Sequence, residues 1–65
     1  MSLIQVNGQV HALVPSLSIL LTELGLEQAV VATALNGDFI PAGQREQIVL
    51  KAGDQVEILA PMQGG

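Results

Sequence analysis

The chain contains no cysteine, no tryptophan and no tyrosine, and it has a single phenylalanine, Phe39, and a single histidine, His11. Without a thiol there is no disulfide, no thiolate metal site, no redox pair and no side-chain sulfur nucleophile. A zinc site or a nucleophile–histidine–acid triad also lacks the partners it requires, so no bound metal or cofactor is expected. His11 falls in a predicted strand, where side-chain parity places it off the apolar face as a solvated residue. Basic charge is equally scarce: Arg45 and Lys51 stand against six acidic residues, for a net charge of −4. Phosphate backbones are held by clustered Lys and Arg, so nucleic-acid binding is not expected. An acidic surface suits instead a protein partner with a basic rim that speeds encounter. No apolar run approaches the ~20 residues of a membrane span, and Met1-Ser2-Leu3-Ile4-Gln5 lacks the basic region of a leader. A cytoplasmic location without membrane association is the expectation.

What is present is apolar: 49% of the 65 residues are hydrophobic, enough to close a core without cross-links. A chain of this length makes one small domain, 1–65, and its composition is opposite to that of a disordered segment.

Two Asn-Gly pairs, Asn7-Gly8 and Asn36-Gly37, punctuate the chain, and both residue types tolerate positive φ in hairpin turns. Leu3 to Val6 and Val10 to Val14 therefore read as a first hairpin. A two-residue loop would split the apolar residues between faces. An odd-length loop puts Ile4, Val6, Val10, Ala12 and Val14 on one side, and that register is expected. Pro15 disfavours helix at Val14, and Ser16 supplies a capping oxygen. Leu17, Leu20, Leu21 and Leu24 then follow helical spacing up to Gly25, predicting a helix over 17–24. Eight residues are too few for an isolated helix, so the leucines must dock on a sheet. Val30 to Leu35 reads as a third strand leading through Asn36-Gly37 to Phe39-Ile40-Pro41. Pro41 to Gln44 reads as a loop, Ile48 to Leu50 as a short strand or turn, and Gly53-Asp54 as the turn into a strand over Val56 to Leu59. Along that strand Val56 and Ile58 are expected inward and Glu57 and Leu59 outward. The order is ββαβ(β)β, with a polar, glycine-ended tail from Ala60 to Gly65.

Candidate chemistry is sparse. Glu23 with Glu27, and Glu46 with Glu57, are possible carboxylate pairs, but acid/base work needs burial in a cleft that a domain this small has little room for. Asp54 is expected to accept backbone N–H bonds within its turn. There remains the closing Gly64-Gly65, a pairing that chance gives in roughly 0.5% of chains. Lacking side chains, such an end threads a narrow channel and exposes its carboxylate to a partner's active site. An α-carboxyl, with a reference pKa of about 3.3–3.7, is ionised at neutral pH and must be activated before it is acylated onto anything. ATP-dependent adenylation followed by sulfur attack would turn it into a thiocarboxylate, and no catalytic side chain of this chain is needed.

The stretches Leu3-Ile4-Gln5-Val6-Asn7-Gly8, Ala34 to Pro41 and Leu50 to Ile58, with the closing Gly64-Gly65, resemble the sulfur carrier proteins of thiamin biosynthesis, the ThiS family. The resemblance spans essentially the whole chain. It implies a ubiquitin-like β-grasp fold of the α+β class, with a mixed four- or five-stranded sheet packed on one helix and a flexible C-terminal tail. It also implies a carrier that is not an enzyme: Gly65 would hold the adenylate and then the thiocarboxylate, and Gly64 would be the narrow part of the tail. The implied partners are a ThiF-like adenylating enzyme, a ThiG-like thiazole synthase and a sulfur donor protein. Members commonly have arginine directly after the proline and a tryptophan a few residues on, where this chain has Ala42 and Arg45. A molybdopterin synthase small subunit (MoaD-like) shares fold and tail, and a ubiquitin-like modifier or binding module is a further alternative. Leu59, facing out, is expected to join Pro61 and Met62 in a docking surface.

Overall fold

A computed structural model describes residues 2–60 of the chain. The strands are β1 (Leu3–Val6), β2 (Gln9–Ala12), β3 (Ala32–Leu35), β4 (Asp38–Ile40) and β5 (Gln55–Leu59), with one α-helix, α1 (Leu17–Glu23), and a 3-10 helix over Ala42–Gln47. They form one five-stranded sheet in the order β2-β1-β5-β3-β4. The last strand enters the middle, parallel to β1 and antiparallel to β3, between two antiparallel hairpins. This is the β-grasp arrangement of a mixed sheet holding a helix.

The first hairpin corrects the expected register. Val6 pairs with Gln9 and Ile4 with His11, which leaves the two-residue loop Asn7-Gly8 rather than an odd-length one. Asn7 and Gly8 both have positive φ, 51° and 82°, the combination whose twist matches that of the flanking strands. Turn chemistry therefore outweighs apolar parity. It can do so because β2 is an edge strand with no fully buried residue. Ile4 and Val6 face the helix together with Gln9 and His11, while Val10 and Ala12 lie on the other side, with Val10 68% exposed. His11 is thus half-buried on the apolar side, not off it.

The helix follows its local signals closely. Ser16, in extended conformation, accepts the Ile19 N–H at 3.1 Å, and Leu24 caps the other end before Gly25 at φ 75°. Another free N–H of the first turn, that of Leu17, is taken by the Ile48 carbonyl at 3.1 Å, while Leu50 N–H reaches Pro15. The segment Ile48 to Leu50 therefore forms only an isolated bridge, Ser16 to Val49, in place of a strand. Leu17, Leu20 and Leu21 are buried with Ile4, Val14, Ile40, Leu50, Val56 and Ile58 in one core. Each fully buried Leu stabilises the fold by about 1.5–3 kcal/mol relative to exposure.

Two further expectations change. The third strand begins at Ala32, not Val30, because its partner β5 ends at Leu59, opposite Ala32. Val30 is left 80% exposed. The loop after Pro41 winds into the 3-10 helix, opened by Gln44 N–H bonding to the Pro41 carbonyl at 2.9 Å. Asp54 behaves as expected, its Oδ2 accepting the Lys51 N–H at 2.8 Å.

Candidate functional site

The closing Gly64-Gly65 singled out in the sequence follows β5, so the candidate site is built outward from that strand. Alternation along β5 is strict: Val56 and Ile58 are buried, whereas Gln55, Glu57 and Leu59 are exposed. Being central, β5 is held on both edges. On the β3 side Ala32 to Leu35 pair with Leu59 to Val56. On the β1 side Gln5 N–H donates to Asp54 O and Asn7 N–H to Val56 O, each at 2.9 Å. Beyond them the Asn7 side chain bonds both backbone groups of Ile58. The chain therefore reaches Ala60 from a fixed platform. Gly64 and Gly65, with Pro61 and Met62, lie outside the described residues.

The outward face of the sheet near that exit is apolar. Leu59 and Phe39 are each 68% exposed. Leu59 stands opposite Ala32, and Phe39 stands opposite Ala34. The two alanines form the floor of a shallow hollow of about 110 Å³ walled by Phe39, Glu57 and Leu59. A second open hollow of about 330 Å³ continues it past Val30 to Ala60. Of the docking residues expected from sequence, Leu59 alone falls among the described residues, and it is exposed as required. Phe39, Ala32 and Ala34 were not singled out in the sequence. The signal for Phe39 was available in its being the only aromatic residue, next to a core Ile40 of opposite parity.

On the helix side of the sheet, a groove of about 490 Å³ runs between the first hairpin and the end of α1, bordered by Val6, His11, Leu24, Ile58 and Ala60. His11 Nδ1 donates to the Ala12 carbonyl at 2.7 Å. Among the described residues no three His, Asp or Glu side chains gather as a metal site. Glu23, Glu27, Glu46 and Glu57 are all exposed, so they lack the burial that a paired acid and base would need. No helix of the described residues is long and apolar enough to cross a membrane.

Arg45, one of the two basic residues, is half-buried and turned inward. Its Nη2 donates to the Val31 carbonyl at 2.7 Å and its Nε to Thr33 Oγ1 at 3.0 Å. It fastens the 3-10 helix to the start of β3 and is not presented to a partner.

A model of the ThiS family matches residues 4–65. Among solved structures, the thiamine biosynthesis protein ThiS from Geobacter metallireducens is similar at 32% identity, with 97% of this chain and 99% of that chain covered and a TM-score of 0.78. No curated protein matches the chain significantly.

Proposed function

The chain belongs to the ThiS family of sulfur carriers in thiamin biosynthesis, carrier proteins rather than enzymes, and from that we propose that Gly65 is the residue on which its sulfur is carried. Members of the family work with ThiF-like and ThiG-like partners. In this reading the Gly65 carboxylate oxygen attacks the α-phosphorus of ATP in the adenylating enzyme, releasing pyrophosphate and leaving an acyl adenylate. Hydrosulfide then attacks the acyl carbon, AMP departs with one of the former carboxylate oxygens, and that oxygen has been exchanged for sulfur. The thiocarboxylate is delivered to a thiazole synthase. Gly64 passes the enzyme's narrow entrance because it adds no side chain to the backbone.

The observation that supports this assignment is the family match, which reaches residue 65. Gly65 is five residues past Ala60, so its carboxylate reaches no further than roughly 18 Å from that point, at ~3.3–3.6 Å per residue. A partner that takes the carboxylate into its active site must therefore rest close to Ala60. The hollow bounded by Leu59, Ala32 and Phe39 is apolar and lies within that range, and we assign it, with Pro61 and Met62, as the docking surface. With Arg45 turned inward, Lys51 is the one exposed basic side chain among the described residues, so a basic rim on the partner complements the carrier's net charge of −4.

Incubation with ATP, a ThiF-type adenylating enzyme and a sulfur source should raise the intact mass by the difference between sulfur and oxygen. Fragmentation should place the change on Gly65, and deletion of Gly65 should abolish it while leaving the circular dichroism spectrum unchanged. A mass that stays constant for the full chain refutes the assignment.

A further inference from the structure

The side chain of Asn7 gives both of its polar atoms to one residue 51 positions away: Oδ1 accepts the Ile58 N–H at 2.8 Å, and Nδ2 donates to the Ile58 carbonyl at 3.1 Å. The reason lies in how β1 ends. In a parallel pair the rung after Asn7 N–H to Val56 O would have the Asn7 carbonyl accept from Ile58 and the N–H of residue 9 reach the Ile58 carbonyl. That rung is unavailable to the main chain. Asn7 turns into left-handed backbone at φ 51°, and Gln9 is folded back into β2 opposite Val6. A carboxamide carries the same donor and acceptor as a peptide group, and here it completes the missing rung.

Ile58 is the last residue of β5 gripped from the β1 side, because backbone groups along a strand turn to its two neighbours alternately: those of Asp54, Val56 and Ile58 meet β1 and its turn, and those of Leu59, one residue on, turn toward β3. We propose that Asn7 is a positioning residue for the carrier reaction, fixing the point and direction at which the chain leaves the sheet toward Gly65. The proposal rests on Gly65 being the activated group. Asn7, Ile58 and Ala60 all border the open groove on the helix side. Water entering there replaces the lost bonds once the carboxamide is gone, and β5 frays along its β1 edge. The arm that must find the enzyme's channel then starts lower on the sheet and samples more directions, and the enzyme has to order it on binding.

An internal control is built into the fold. Asn36 has the same backbone conformation, φ 50°, in the other Asn-Gly turn. Its Oδ1 accepts the Gln55 N–H at 2.9 Å and its Nδ2 donates to Asp54 Oδ1 at 3.1 Å, at the opposite end of β5. Asn7→Gly and Asn36→Gly each keep the positive φ and delete two side-chain hydrogen bonds, but only the first touches the root of the tail.

The test measures KM and kcat for ATP-dependent conversion of the full chain by a ThiF-type enzyme, together with amide hydrogen exchange at Ile58 and Leu59. For Asn7→Gly the KM should rise roughly five- to thirtyfold, the equivalent of ordering about one more backbone residue, with kcat little changed. The Ile58 amide should exchange faster. Asn36→Gly should lose comparable thermal stability yet keep the wild-type KM and the Ile58 protection. Equal KM values for the two variants, or unchanged protection of Ile58 in Asn7→Gly, overturn the proposal. Should Asn7→Gly not fold, Asn7→Asp, which retains the acceptor for Ile58 N–H but not the donor, should give a smaller KM increase, and a wild-type KM there is equally fatal. A wild-type chain that is never converted refutes the Gly65 assignment instead, and the exchange data then decide separately whether Asn7 holds Ile58.

Discussion

Replacing Arg45 by methionine keeps most of the side chain's apolar stem and removes every donor, which isolates what the guanidinium does. Arg45 donates to the Val31 carbonyl at 2.7 Å and to Thr33 Oγ1 at 3.0 Å, and the Thr33 hydroxyl donates onward to the Ile40 carbonyl at 2.9 Å. One chain of bonds thus ties the 3-10 helix to β3 and β4. Hydrogen bonds to charged groups contribute about 1.5–3 kcal/mol each. Val31 is half-buried, so water can re-solvate its carbonyl and lower the cost there. Thr33 is only 1% exposed, but its hydroxyl keeps Ile40 as acceptor and loses a single accepted bond. The expected loss is about 2–3 kcal/mol in total. A domain of this size has roughly 3–10 kcal/mol to lose at ~0.05–0.15 kcal/mol per residue. At about 4–8 °C per kcal/mol the melting temperature should fall by roughly 8–24 °C. With no tryptophan or tyrosine in the chain, far-UV circular dichroism is the probe for a urea titration. An unchanged m-value would show that stability, rather than compactness of either state, has moved. A double-mutant cycle with Thr33→Val should give a coupling of about 0.5–1.5 kcal/mol. A loss below about 0.5 kcal/mol, or strict additivity with Thr33→Val, refutes the network. At temperatures where Arg45→Met is folded, its conversion by the adenylating enzyme should match wild type, since the guanidinium faces inward.

Leu59→Asp changes a residue that is 68% exposed, so it should fold normally and yet be adenylated more slowly; an unchanged rate removes Leu59 from the docking surface. Leu20→Ala empties a site with 0% exposure and should cost about 2–5 kcal/mol, a large part of the stability, read as lost urea resistance. Gly25→Ala meets no atom within 4 Å of the new Cβ, so any cost is that of holding a φ of 75°. It should destabilise by about 1–2 kcal/mol without altering the circular dichroism spectrum. Raising ionic strength should slow association with a basic-rimmed partner more than it slows turnover at saturation, and a salt-independent association rate would contradict that electrostatic contribution.

Several features of this protein are set by interactions within a few residues, and these were legible in the sequence. Ser16 caps the helix, Gly25 stops it, the two Asn-Gly pairs turn the chain, and the period of two along Val56 to Leu59 decides which side chains enter the core. The proposal for Gly65 comes from the sequence alone, since Gly64 and Gly65 lie outside the described residues. The register of the first hairpin was not. Parity assumed that β2 must bury its valine, and only the sheet order shows β2 to be an edge strand with little to bury, leaving the turn free to decide. The apolar hollow of Leu59, Ala32 and Phe39 likewise exists only once β5 is beside β3 and β3 beside β4. Nothing in the sequence marks Arg45 as a fastener, and it becomes one only when β3 and the 3-10 helix are packed together. Asn7 reads as turn chemistry alone until the last strand arrives beside the first and leaves Ile58 in need of a partner. Local sequence fixes backbone conformation through sterics and nearby hydrogen bonds, whereas these contacts join residues distant in the chain and depend on which strands become neighbours.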